Sequence, residues 1–279
     1  MVAVARRTPP QLYFVVSAVF HYLGPAFAVL LFARVDVLGV AWLRIAAAAA
    51  VFALWRRPWR AWAAQDAEGR RLLAGWGAVL AVMNACFYLA IDRLPLGTVA
   101  AIEFLPVVGL AALGARRPRN AAALAIAVGG VALLSHVELR AAPLGLALAF
   151  ANALLFAAYI VLADRVAKRD GLSGIDGLAA AMLIALVVVT PLGGWEAIPA
   201  LGDPVALLAG IGVGLASSVI PYVTDQLALA RLERATYALL VSLLPATAAV
   251  IGIVVLGQVP SAAEATGIAL VAAGVALHG

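Results

Sequence analysis

An all-α polytopic membrane protein is the fold class this chain predicts, with ten transmembrane helices arranged as two inverted five-helix repeats. Three observations point there. The 279 residues are 66% hydrophobic and only 12% charged, with a mean hydropathy of +1.08, whereas the apolar share of a soluble domain is nearer half. Apolar runs long enough to span a bilayer follow one another along the whole chain. The plan of the first half also recurs in the second.

Taken in order, the runs are Gln11 to Phe32, Val37 to Trp55, Leu72 to Ile91, Leu96 to Ala115 and Asn120 to Val137, then Pro143 to Ala163, Ile175 to Leu192, Pro204 to Thr224, Ala235 to Leu256 and Pro260 to Leu277. Arg6 and Arg7 before the first run give it the outline of a signal peptide. Its length, and the similar runs that follow, make it instead the first transmembrane helix. Of the 19 Lys and Arg residues, all but Arg34, Arg93, Arg140 and the intramembrane Arg44 fall in alternate loops on one side. That bias places both termini in the cytoplasm and the chain in the cytoplasmic (inner) membrane. Trp55, Trp59 and Trp62, in the basic loop around Arg56 to Arg71, suit the headgroup level.

Composition also excludes classes. The net charge of +5 is spread over short loops and gathers on no polar face, so the partner is the lipid bilayer and not nucleic acid. No glycine-rich phosphate loop with Lys-Ser or Lys-Thr is present, and neither His-Glu-x-x-His nor Cys-x-x-Cys occurs. No cofactor or metal is expected. Cys86 is the only cysteine, a small packing residue within an apolar run.

The internal repeat appears when IDRLPLGTVAAIEFLPVVGLAALG, from Ile91, is set against ARLERATYALLVSLLPATAAVIGIVVLG, from Ala230. In both, an Arg-Leu turn leads into an apolar run broken by proline, Pro106 or Pro245, and a Leu-Gly pair and a Gly-Val-Ala-Leu ending follow. Residues 1–140 and 141–279 are thus expected to be the two repeats. Because five helices is an odd number, the second copy enters the membrane upside down, as in secondary transporters whose site lies near the midplane.

The stretch FYLAIDRLPLGTVAAIEF with the ARRP turn after it, Arg44 within WLRIAAAA, and Pro221-Tyr222 resemble the drug/metabolite transporter superfamily, in its ten-helix amino-acid exporter branch. The resemblance covers essentially the whole chain. It implies alternating-access export of amino acids or similar small metabolites, with no enzymatic step. The second half departs from the first, since Leu178 and Ala179 stand opposite Arg44 and no acid matches Glu103.

Glu103 leads the candidate substrate-binding residues, because an ionised group in hydrocarbon is costly and asks for a partner or a role. Glu103 and Arg44 both lie about seven residues inside their helices, roughly 10 Å deep. Equal depth permits a structural ion pair. Polar and aromatic stripes at helical spacing add Asn84, Phe87 and Tyr88; Asn152, Phe156 and Tyr159; Ser218, Tyr222 and their neighbours Pro221 and Asp225; and His21 with Ser17 and Gly24. These residues alone leave open a multidrug or other metabolite carrier, and a non-transporting membrane enzyme or scaffold whose buried polar groups only orient helices.

The topology is checked by cysteine labelling on a Cys86→Ser background. A thiol at Arg119→Cys is expected to stay unreactive to an impermeant reagent added outside, and one at Asp36→Cys to react. The reverse pattern overturns the orientation.

Overall fold

The computed structural model of the chain describes residues 9–114, 118–169, 171–229, 231–232, 240–241 and 243–278. Arg6, Arg7, Arg116, Arg117 and Arg234, which carry part of the charge bias, lie outside them, as does the start of the run expected from Ala235. Among the described residues the secondary structure is helical: α1 Pro10–Leu31, α2 Val37–Arg56, α3 Ala67–Ile91, α4 Leu96–Gly114, α5 Pro118–Ala141, α6 Pro143–Ala167, α7 Gly174–Val189, α8 Pro204–Gly214, α9 Ile220–Leu229, α10 Leu244–Leu256 and α11 Ala262–His278. π-helical turns extend α7 over Thr190–Gly194 and join α8 to α9 over Leu215–Val219. Seven of the described helices are long and apolar enough to cross a membrane, and Leu96–Pro106, Leu244–Leu256 and Ala262–Leu277 are shorter apolar helices. Large side chains such as Leu54, Leu154, Val187, Leu208 and Val254 stand exposed. Lipid tolerates such an outward apolar face where water does not.

The chain gathers into two compact units, residues 1–27, 94–143 and 216–279 in the first, residues 28–93 and 144–215 in the second. Each unit draws on both halves of the sequence.

In the first unit α11 packs along α5, and α4 packs on α5, α10 and α11. Glycine makes the α5–α11 contact possible. A Cβ on Gly130 would lie 2.7 Å from the Gly267 carbonyl oxygen, and one on Gly274 would lie 2.8 Å from that of Ala123. Lipid provides no hydrophobic drive between helices, so association depends on such close backbone approach. The Gln258 side chain, past the left-handed Gly257, accepts a hydrogen bond from the Leu96 N–H at 3.0 Å and so caps α4. Ser261 and Glu264 cap α11 reciprocally, with Ser261 N–H to Glu264 Oε2 at 2.7 Å and Glu264 N–H to Ser261 Oγ at 3.3 Å.

In the second unit α7 is the centre, packed against α2 and α3, while α8 lies on α2. Antiparallel α2 and α7 are tied at both ends. Arg56 Nε donates to Asp176 Oδ1 at 2.8 Å, and Trp42 Nε1 donates to Thr190 Oγ1 at 2.9 Å. α3 starts at Ala67, before the expected Leu72, because Asp66 caps it by accepting from the Gly69 N–H at 2.7 Å. Asp203 caps α8 through the N–H groups of Val205 and Ala206 and also binds Arg34 at 3.0 Å. These bonds hold the Asp203 carboxyl below its ordinary range, the backbone donor of Ala206 first. The expected interfacial loop contains a single helical turn, Pro58–Ala63, with Trp55 and Trp59 exposed beside it.

Glycine packing in the first unit is tested by Gly267→Val. Its Cβ alone would come within 2.7 Å of Leu134 Cγ, so a loss of about 1–3 kcal/mol is expected from detergent unfolding. Gly75→Ala, which meets nothing within 4 Å, is expected to leave stability unchanged or raise it by about 1 kcal/mol.

Glu138 gives a second prediction. It lies beyond the spanning stretch Pro118–His136; burial, then the charge of Glu264 and a hydrogen bond with it, raise its carboxyl above the ordinary value. The folded state therefore keeps a proton that the unfolded chain has lost. The stabilisation is complete below the ordinary glutamate value, about 4.3, and disappears as pH rises through the raised value. Thermal midpoints measured against pH are expected to fall across that window, and Glu138→Gln to flatten the fall.

Candidate functional site

Within the first unit, Glu103 sits on α4 with 6% of its surface exposed, one turn before Pro106, whose ring leaves the Ile102 carbonyl without its helical donor. Tyr22, on α1 in the same unit, has no exposed surface. One helical face of α1 meets the chain around Pro221. The Ser17 hydroxyl donates to the Pro221 carbonyl at 3.2 Å. At Gly24 a Cβ would lie 2.7 Å from the Ser217 backbone nitrogen, so only glycine allows α1 this close to the π turn. Pro25 follows inside the helix, freeing the His21 carbonyl in the same way as Pro106 does for Ile102.

His21, half-buried, sets its ring at a steep angle to that of Tyr22, with centroids 5.1 Å apart. Ser218 is buried and Tyr222 half-buried on the far side of the π turn. Glu103, His21, Ser218 and Tyr222, singled out from sequence, thus share one compact unit. Tyr22 was not among the sequence candidates. The only signal was an aromatic hydroxyl next to His21 in an apolar run, and its burial decides its place.

The second unit holds the other set. Arg44 on α2 is 6% exposed, and its guanidinium lies 5.4 Å from the centroid of the Tyr88 ring on α3. An aromatic face stabilises a desolvated guanidinium by about 2 kcal/mol. Phe32 meets the same Tyr88 ring edge-on at 6.1 Å. Phe87, adjacent in the chain, is also buried. The α2 backbone at Arg44 is fixed by α8, since a Cβ on Gly214 would lie 2.7 Å from the Arg44 carbonyl oxygen.

Asn84 is buried and its side-chain amide donates to the Leu80 carbonyl at 2.8 Å, a bond within its own helix. On α6, Asn152 is fully buried. Phe156 and Tyr159 stack at 6.2 Å and 9°, and Trp76 of α3 lies 5.6 Å from Tyr159. Trp76 was missed by the stripe on α6, because its contact joins helices far apart in sequence. Arg44 and Glu103 belong to different compact units. The side chain of Asp225 lies outside the described ones. Among the described residues no group of three His, Cys, Asp or Glu side chains could hold a metal ion.

The first unit thus holds a buried glutamate, and the second a buried arginine, amides and aromatic faces.

Comparison with known proteins gives the family. The model of the EamA-like transporter family matches residues 143–278. The threonine/homoserine exporter RhtA of Salmonella typhimurium strain SL1344 is 34% identical over 242 residues, 84% of this chain and 79% of the relative. RhtA of Escherichia coli strain K12 matches to the same extent. One crystal structure of another protein shares the fold over 98% of both chains, with a TM-score of 0.60 at 20% identity. Buried charges in an all-helical apolar fold, together with that identity across most of the chain, establish that it belongs to the EamA-like family of drug/metabolite transporters.

Proposed function

We propose that the chain exports amino acids or similar small metabolites across the cytoplasmic membrane by alternating access, as a transporter and not an enzyme. The 34% identity to the threonine/homoserine exporters over 84% of the chain carries this reading. Ten transmembrane helices in two inverted repeats, residues 1–140 and 141–279, with both termini cytoplasmic, complete it. Two compact units that each draw on both sequence halves support the repeat, since interleaved copies are how such carriers build a midplane site.

In this reading Glu103, with His21, Ser218 and Tyr222 nearby in its unit, attracts the substrate ammonium. Asn84, Asn152 and the rings of Phe87, Tyr88, Phe156 and Tyr159 supply the amide and apolar contacts. The pairing of Arg44 with Glu103, drawn from their equal depth in the sequence, belongs to the proposal. A carboxylate present in one half only makes any charge-dependent step occur once per molecule.

Flux into liposomes tests it. Purified protein is expected to give saturable uptake of labelled threonine or homoserine and counterflow against the unlabelled amino acid. Absence of both, with folded protein in the bilayer, removes the substrate assignment. Glu103→Gln is expected to lower the rate at least tenfold at equal protein amount, and unchanged flux would exclude Glu103 from the site. Restored flux in the charge swap Arg44→Glu/Glu103→Arg, where each single change is inactive, is the expected result for a pair.

A further inference from the structure

At one end of the second unit, α3 and α6 border a groove of about 580 Å³ whose lining is unusually basic. Arg71 enters from α3, and Arg165, Lys168 and Arg169 from α6. Two of these four cations are already neutralised. Lys168 Nζ binds Asp164 at 2.7 Å, while Arg169 binds Asp66, takes the Gln65 side-chain oxygen at 3.2 Å and stands 3.6 Å from Glu68, the one acid lining the groove among the described residues. Arg71 and Arg165 are both exposed and have no carboxylate partner among the described residues. Two unneutralised guanidiniums therefore border one cavity.

Two further features decide what fits there. Leu72 and Leu162, half-buried, line the same groove; each is on the membrane side of its arginine neighbour, since α3 runs inward from Ala67 and α6 runs outward to Ala167. The exposed Trp55 and Trp59, on the chain just before α3, sit where tryptophan collects, at the headgroup level. The groove is thus polar at the water side, apolar at the hydrocarbon side and level with lipid phosphates. Its volume is that of a site for a sizeable organic ligand, and a bare phosphate would fill little of it. Guanidinium forks match phosphate oxygens bidentately.

We infer that this groove is a binding site for an anionic phospholipid, with Arg71 and Arg165 on the headgroup phosphate and Leu72 and Leu162 against the start of the acyl chains. The site needs neither amino-acid export nor the proposed orientation, so a failed flux assay leaves it standing.

The protein is reconstituted into nanodiscs of phosphatidylcholine with a minor share of phosphatidylglycerol, and the lipid retained on it is counted by native mass spectrometry. Phosphatidylglycerol is expected to be enriched over its bulk share. Enrichment is expected to fall about fivefold for each arginine removed in Arg71→Gln/Arg165→Gln. The control Arg60→Gln/Arg119→Gln, which removes the same charge elsewhere, is expected to keep it. No enrichment in the wild type, or an equal loss in the control, overturns the site. Excess inorganic phosphate separates the two sources of phosphate: retained lipid supports the assignment, and displacement overturns it in favour of a free anion.

A measurement on the unaltered protein covers the case of a variant that does not fold. Titrating phosphatidylglycerol into phosphatidylcholine is expected to raise the thermal midpoint, and an unchanged midpoint overturns the proposal.

Discussion

The hydrocarbon core offers no hydrogen-bond partners, and most features of this chain follow from that constraint. Every backbone group within the bilayer must find its partner inside the protein, which leaves helices as the spanning elements here. The exceptions carry meaning. Prolines at 25, 106 and 221 and the π turns at Thr190–Gly194 and Leu215–Val219 free carbonyl groups at membrane depth. Two of those interruptions meet in the first unit, where Gly24 lies against Ser217 and Ser17 donates to the Pro221 carbonyl.

The same constraint divides the labour between helix middles and helix ends. In the middle, helices associate through glycine, as at Gly130 and Gly267, and at Gly77, where a Cβ would meet the Ala181 carbonyl at 2.7 Å. At the ends, where water returns, ordinary polar chemistry resumes with the Asp66, Asp203 and Ser261 caps and the Arg56–Asp176 bond. Charges kept away from the ends then stand out. Arg44 and Glu103 are each only 6% exposed, and burial at that depth would destabilise either one without the aromatic or polar surroundings described.

Much of this was legible in the sequence. Hydropathy located the described helices within a few residues, and the acid, the arginine and the polar stripes pointed to side chains that are buried, as Glu103, Arg44, Asn84, Asn152 and Ser218, or half-buried, as His21, Phe156, Tyr159 and Tyr222. The misses have a common cause. Tyr22 and Trp76 carried no periodic signal, since what marks them is tertiary: complete burial for the first, Tyr159 of another helix for the second. α3 began five residues early because a capping aspartate, and not hydropathy, sets a helix start.

The sequence by itself determined that the chain is helical and membrane-embedded and where its apolar segments lie, because transfer into lipid is a sum over about 20 consecutive residues. It also determined that Glu103 and Arg44 lack counterparts in the other half. Only the tertiary structure decided which helices gather together, drawing residues 1–27, 94–143 and 216–279 into one unit and the remainder into the other. Lipid does not drive helices together by hydrophobicity, so the choice rests on matched small residues, a hydroxyl-to-carbonyl bond or a single ion pair between segments far apart in the chain. No local window of sequence contains both partners.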